Sequence, residues 1–245
     1  MTALTGLDAA QFLAVADRLR PPPSPPRGRP WALPFHRRIE IACTSLRTNL
    51  TVRELAAVYA ISRSMAHRIV VDMTARLASR LPAMVDLDRR RSWIVDGTLV
   101  PTRDHRHAAK SKNYRYSCNA QILVRRTDLH VIATFVGGPG NRNDPVHYRG
   151  SEIERLCKLH GRVLADGGYL GLPELITPVF HKRHILRNAR WRRHRKRRAR
   201  VEHAIARLKD WRILRDYRRR GHELQRSLHA VAFLHNIRLK FRDSS

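Results

Sequence analysis

Trp93-Ile94-Val95-Asp96-Gly97-Thr98-Leu99-Val100 decides the fold, because it is an apolar run of strand-forming residues with a single carboxylate set inside it. Two further strands follow, Tyr114 to Arg125 and Leu129 to Val136, the second closed by Gly137, Gly138, Pro139 and Gly140. Three strands in a row predict an antiparallel meander. A helical stretch over about Val146 to Leu159 then leads to a short strand of the buried type, Arg162 to Ala165, ending at Asp166-Gly167-Gly168-Tyr169. Strand, helix, strand in that order is a crossover connection, which places the fourth strand parallel to a meander strand. A fifth strand over Thr177 to Phe180 and helices over about Ala199 to Tyr217 and Glu223 to Lys240 complete an α/β fold, a mixed sheet flanked by helices. Val201, Ala204, Ile205, Leu208 and Trp211 form the apolar stripe of the first of these helices.

Upstream, residues 78 to 91 read as a charged connector and residues 4 to 19 as a short amphipathic helix bearing Leu4, Leu7, Phe12, Leu13, Val15 and Leu19. The Pro-rich segment 21–30 between this helix and the next is a stiff extended linker. From Leu33 to Arg76 the pattern is helical with a sharp break. Thr51 with Glu54 three residues on is a capping box, opening a helix over Val52 to Tyr59, and Ser62 caps a second helix running to about Leu77. Leu55, Ala56, Tyr59, Ile61, Ala66 and Ile69 fall where the inward residues of a helix-turn-helix sit. Arg63, Ser64, His67 and Arg68 then face outward as major-groove candidates. The competing reading is a small three-helix bundle with a solvated polar face. Ala60 occupies a turn position where Gly is common, so a strained turn is expected there.

Charge decides between those readings. The 245 residues hold 49 Lys and Arg against 20 Asp and Glu, a formal charge of +29. Such an excess repels itself unless a polyanion shares the surface, and nucleic acid is the natural counter-charge. A hydrophobic share of 42% still supplies one medium core and a small helical one, which excludes global disorder and suggests two domains, 1–90 and 91–245. Cys43, Cys118 and Cys157 have no metal-ligand or disulfide spacing, which fits a reducing intracellular setting. No apolar run is long enough to span a membrane, and Asp8 and Asp17 stand where a secretory leader would be basic and then apolar. A cytoplasmic protein, associated with the nucleoid through DNA, is expected.

In so basic a chain the placement of each acid is informative. Asp96 lies within one strand, Asp166 ends another, and Glu202 lies in the first turn of an amphipathic helix, each beside core-forming residues. Phosphodiester cleavage calls for two magnesium-like ions, one sharpening the attacking oxygen and one stabilising the leaving oxygen. Hard cations of this kind prefer carboxylate oxygens, so two strand-end Asp residues and one helical Glu are suitable ligands.

Asp96-Gly97-Thr98, Pro139-Gly140-Asn141-Arg142-Asn143-Asp144, Leu164-Ala165-Asp166-Gly167-Gly168-Tyr169 and Val201-Glu202-His203-Ala204-Ile205-Ala206-Arg207-Leu208-Lys209 occur in order. Together they resemble the ordered signature of DDE transposases, in particular the insertion-sequence family five and Harbinger-like group, over about residues 33 to 240. The resemblance implies a ribonuclease-H-like fold preceded by a small all-α helix-turn-helix domain. It also implies Asp96, Asp166 and Glu202 as the catalytic, metal-binding triad, with two Mg²⁺ or Mn²⁺ ions as cofactor. Asp144 matches a further acidic position of the signature and is a possible accessory acid, turn and helix capping being its ordinary role. Two departures stand out: Gly167 replaces a frequent Lys, and Arg125-Arg126-Thr127-Asp128 replaces the usual hairpin.

His181 to Arg200 carries eleven Lys and Arg and no acid, with Trp191 in its midst. Lying between two expected metal ligands, it reads as a phosphate-tracking arm in which Arg192, Arg193, Arg195, Lys196, Arg197 and Arg198, with Lys209 beyond it, contact DNA. The partners expected are the terminal repeats of an element, target DNA and a second copy of the chain. Two rival functions remain on the sequence alone, a decayed or domesticated element protein that only binds DNA and a hydrolytic endonuclease of the same fold.

Overall fold

The computed structural model describes residues 2–20, 30–81, 88–111, 115–182 and 184–241. Nearly all of the Pro-rich linker, the middle of the charged connector and Tyr114 therefore lie outside the described residues. At the N-terminus the single expected helix is two, α1 (Thr2–Thr5) and α2 (Ala9–Arg18). Gly6 breaks it in the left-handed region at φ 72°, and Asp8 starts α2 afresh. The Asp8 carboxylate accepts from the Gln11 amide at 2.8 Å while the Gln11 side chain accepts from the Asp8 amide at 3.2 Å. Three helices follow, α3 (Phe35–Thr48), α4 (Val52–Val58) and α5 (Arg63–Ala78). The capping box at α4 forms as expected, with Thr51 amide to Glu54 at 2.6 Å and Glu54 amide to Thr51 at 3.2 Å. Ser62 Oγ accepts from the Met65 amide at 3.2 Å. Between these helices Ala60 adopts φ 51°, the left-handed conformation that costs a Cβ-bearing residue about 1 kcal/mol or more.

The sheet is built from β1 (Trp93–Pro101), β2 (Ala109–Lys110), β3 (Tyr116–Arg125), β4 (Val131–Pro139), β5 (Val163–Leu164) and β6 (Leu175–Ile176). Its order is β2-β3-β1-β5-β6, with β4 also on β3. The meander is antiparallel, Asp96 facing Ile122 across β1 and β3, whereas β5 joins β1 in parallel with Ile94 opposite Leu164. The expected mixed sheet is thus present, with β1 in its interior. Alternation sends Trp93 and Val95 to one face and Ile94 to the other, and both are buried.

The crossover is two helices, α6 (Asp144–Tyr148) and α7 (Glu152–His160), because Gly150 turns the chain at φ 73° and Ser151 caps α7 from its hydroxyl. After β6, the fifth strand expected over Thr177 to Phe180 is replaced by a small hairpin, β7 (Phe180–His181) with β8 (His184–Ile185). The basic arm is itself helical as α8 (Ala189–Arg198), and α9 (Arg200–Lys209) stops eight residues short of the expected end at Tyr217. The apolar pattern continues only because a 3-10 turn, Arg212–Leu214, keeps Trp211, Ile213, Leu214 and Tyr217 in the core. α10 (Leu224–Lys240) is buried along most of its length.

One hydrophobic core runs without interruption from α2 to α5, through Ile94, Ile122 and Leu164 of the sheet, to Val201 and Ala204 of α9 and Phe233 of α10. The change near residue 90 is a change of element type and not a gap in packing. Tyr148, Ile153, Cys157 and Tyr169 fill the opposite face of the sheet. Cys43, Cys118 and Cys157 are free and buried. Among the described residues no helix is long and apolar enough to cross a membrane.

Candidate active site

Parallel pairing brings two of the expected acids side by side. Asp96 and Asp166 each stand two residues past the rung that pairs Ile94 with Leu164, so both lie just beyond the point where the parallel pairing ends, Asp96 still within β1 and Asp166 past the end of β5. Asp166 is held there by its own turn, its Oδ1 accepting from the Gly168 amide at 2.8 Å. Asp96 is largely buried and takes the Gly97 amide at 3.0 Å. Burial pushes its carboxyl up from 3.8 to about 6; Arg198 opposes the rise, and Asp166 and Asp144 add to it. The low-dielectric site thus disfavours a lone charge at Asp96 and leaves it receptive to a cation.

Arg198 is that cation. The last residue of α8, it donates from Nη1 to Asp96 Oδ2 at 2.9 Å and from Nη2 to Glu202 Oε1 at 3.3 Å. Val201, Ala204 and Leu208 fasten α9 to the sheet face that carries Ile94 and Leu164, which leaves Glu202 at the exposed rim. Asp96 and Glu202 meet, then, through one guanidinium. Arg198, expected with the DNA-facing arm, is placed apart from its exposed neighbours: its side chain is mostly withdrawn from solvent and paired with two acids. The i, i+4 spacing of Arg198 and Glu202 was the signal for this pairing, masked by the surrounding arginines.

Asp144 lies on the other face of β1. Its Oδ1 accepts from Asn119 Nδ2 at 2.6 Å and Gln121 Nε2 at 3.1 Å, and Gln121 in turn accepts from the Tyr169 hydroxyl. It does not cap its own helix, whose N-cap Asn143 makes no side-chain cap bond. A Cβ on Gly97 would fall 1.9 Å from Asp144 Oδ1, so the glycine of the Asp-Gly pair is what lets this carboxylate reach the strand. Asn119 and Gln121, polar residues buried in an apolar strand, are the supports that sequence reasoning passed over.

The remaining candidates divide by exposure. Arg192, Arg193, Arg195, Lys196 and Arg197 are exposed along α8, as are Arg63, Ser64, His67 and Arg68 along the first turns of α5. Trp191 lies between the Arg187 and Arg195 guanidiniums, 5.9 and 5.5 Å from its ring centre. Lys209 is half-buried, and burial followed by the nearby Arg215 lowers its pKa, which takes it off the exposed surface. Gly167 packs against Phe180 and Ile185, its Cβ position 3.1 Å from the phenyl ring, and Arg125 and Asp128 pair within the β3–β4 hairpin at 3.0 Å.

The donor chemistry of Asp96, Asp166 and Glu202 is all carboxylate oxygen, and a positive group already lies between two of them, so these residues fit a hard divalent cation. Among the described residues, no three His, Cys, Asp or Glu side chains are drawn into a ready-made metal cage; Glu202 is turned to Arg198. A six-stranded mixed sheet thus carries one acid within its interior strand and a second just past the neighbouring strand, with a third on a flanking helix. A family profile described as a transposase DDE domain matches residues 89–237, and the chain belongs to the DDE transposase family, enzymes that act on DNA with divalent metal. It is 40% identical over 222 residues to a protein of Streptomyces albus G described as a putative transposase for insertion sequence element IS112, a match covering 87% of this chain and 84% of that protein. No solved structure matches the chain.

Proposed function

We propose that the chain is the transposase of an insertion sequence of the family-five or Harbinger-like branch, and that Asp96, Asp166 and Glu202 hold its catalytic metal. The observation that carries this reading is the placement of Asp96 beside Asp166 on parallel strands, with Arg198 joining Asp96 to Glu202. Mg²⁺, with Mn²⁺ as a substitute and two ions per site, suits three hard carboxylates. When bound, the metal supplies Lewis acidity at the scissile phosphate and lowers the pKa of the attacking hydroxyl or water. Asp96 and Asp166, fixed on the sheet, define where the phosphate sits; Glu202 closes the site from the rim once its carboxylate is released by Arg198.

The reaction has two steps. Water attacks the phosphorus at the element's end and the P–O3′ bond breaks, leaving a 3′ hydroxyl. That hydroxyl then attacks a target phosphorus, and the target's own O3′ departs. The exposed cations of α8 track the DNA backbone beside the site. Arg63, Ser64, His67 and Arg68 on α5 face the terminal repeat as the recognition surface of a helix-turn-helix formed by α4 and α5. A two-ended substrate calls for a homo-oligomer in the DNA complex.

Strand transfer on terminal-repeat DNA with Mg²⁺ or Mn²⁺ tests the assignment. Asp96→Asn, Asp166→Asn and Glu202→Gln should each lose at least about 10³-fold in rate while DNA binding persists, in keeping with the metal's share of the chemistry. Full activity in any of the three refutes the triad. Cut products without joined ones in the wild type would make it a hydrolytic endonuclease, and salt-sensitive binding without metal-dependent nicking a DNA-binding remnant.

A further inference from the structure

A cavity of about 450 Å³ opens between α5 and the chain that leads into α10, with none of the acidic site's residues in its lining. His67, Val70, Val71 and Thr74, spaced along one side of α5, form one wall. Arg218, Arg219, Arg220 and Arg226 form the other, with Glu223 among them. Glu223 is the one acid among these lining residues, and its charge acts on Arg219. Glu54 is near enough to Arg218 to be influenced by it, but its carboxylate is committed to the Thr51 amide. Arg219 is half-buried and donates to the Ser45 hydroxyl at 2.7 Å; burial lowers its pKa, against the opposing pull of Tyr217 and Glu223. One carboxylate, Glu223, faces four guanidiniums in this partly desolvated cleft, so the cleft stays net positive and a further anion offsets the cost of that charge.

The cleft is continuous with the exposed side of α5, because His67 belongs to both. The geometry points to a clamp for the sugar-phosphate backbone of duplex DNA: phosphates flanking the bases that face α5 enter this cleft and pair with Arg218, Arg220 and Arg226, while Arg219 is anchored behind them on Ser45. Val71, 39% exposed above the buried Val70, supplies the apolar contact that a deoxyribose ring takes. The assignment rests on the reading of α5 as a recognition helix and adds to it residues far along the chain, in the segment after α9.

Duplex DNA carrying the inverted repeat that flanks the coding region, and a shuffled duplex of the same length, are titrated against the full chain at several salt concentrations. The double variant Arg218→Gln with Arg226→Gln, both exposed, should weaken binding to the two duplexes equally and reduce the slope of log K against log salt by about 2, or roughly 0.9 for each phosphate no longer neutralised. Arg63→Ala with Arg68→Ala should instead narrow the difference between the duplexes. An unchanged salt slope in the first variant, with discrimination lost in the second, overturns the clamp and leaves the recognition helix standing. Unchanged binding in both overturns both. Capture of inorganic pyrophosphate that the first variant abolishes, with DNA affinity intact, also overturns the clamp in favour of a small-anion site. Arg219→Lys, which keeps the charge on Ser45's side of the cleft, should retain most of the slope.

Discussion

Replacing Gly97 by Ala puts a methyl group 1.9 Å from Asp144 Oδ1, short of the 3.4 Å of ordinary contact by 1.5 Å. Asp144 must retreat from β1 by about that distance. Gln121 is the cross-strand partner of Gly97 and Asn119 that of Leu99, so a retreat from the strand is also a retreat from both amides. Their hydrogen bonds, 2.6 and 3.1 Å long, would stretch beyond useful length, leaving two buried amides short of an acceptor. Hydrogen bonds to a charged acceptor are worth about 1.5–3 kcal/mol each, whereas Gly→Ala recovers only about 0.4–1 kcal/mol from the unfolded chain. The expected net loss is about 3 kcal/mol. Guanidinium chloride unfolding of wild type, Gly97→Ala, Asp144→Ala and the double variant measures it. Because Asp144→Ala removes the clash, Gly97→Ala should cost almost nothing in that background. Equal costs in the two backgrounds, or a Gly97→Ala protein within about 0.5 kcal/mol of wild type, would refute the reasoning.

Burial lowers the pKa of His235 from 6.5 to about 4, its ring nitrogen resting on the Leu129 carbonyl at 3.1 Å. The unfolded chain therefore binds a proton before the folded one does, and the contribution is intact above pH 6.5 and lost on acidification towards 4. That is about 3 kcal/mol, and a His235→Gln protein should show a correspondingly flatter stability profile in unfolding measurements across this range. In metal-free buffer Arg198→Gln should lose about 2 kcal/mol, since Asp96 is left largely buried without its partner; an unchanged unfolding midpoint would mean the pair is idle. Thr51→Ala should cost about 1 kcal/mol, seen in the unfolding midpoint with an unchanged denaturant slope.

What the sequence disclosed was governed by local rules, and what it concealed was governed by packing. The strand around Asp96, the crossover to Asp166 and the capping box at Thr51 each follow from neighbours within a few residues, and each is present. Ala60 takes the left-handed turn its position demanded. The long helix to Tyr217 failed because a buried apolar series, Trp211, Ile213, Leu214 and Tyr217, reads alike whether the backbone is α or irregular. Arg198 was hidden among ten other cations in its segment, and only tertiary proximity to Asp96 separates it from them. Gln121 shows the same limit, a polar residue in an apolar strand whose purpose is a carboxylate 23 positions away.

The uninterrupted core joining the N-terminal helices to the sheet has a mechanical meaning for the proposed reading. α10 packs against α5 on one side and β4 on the other, so the helix assigned to sequence recognition is bolted to the sheet that bears the acids. A protein built this way cannot reel DNA between independently swinging lobes. It works as a fixed ruler, in which the interval between the bases grasped and the bond severed is an inherited dimension of the fold.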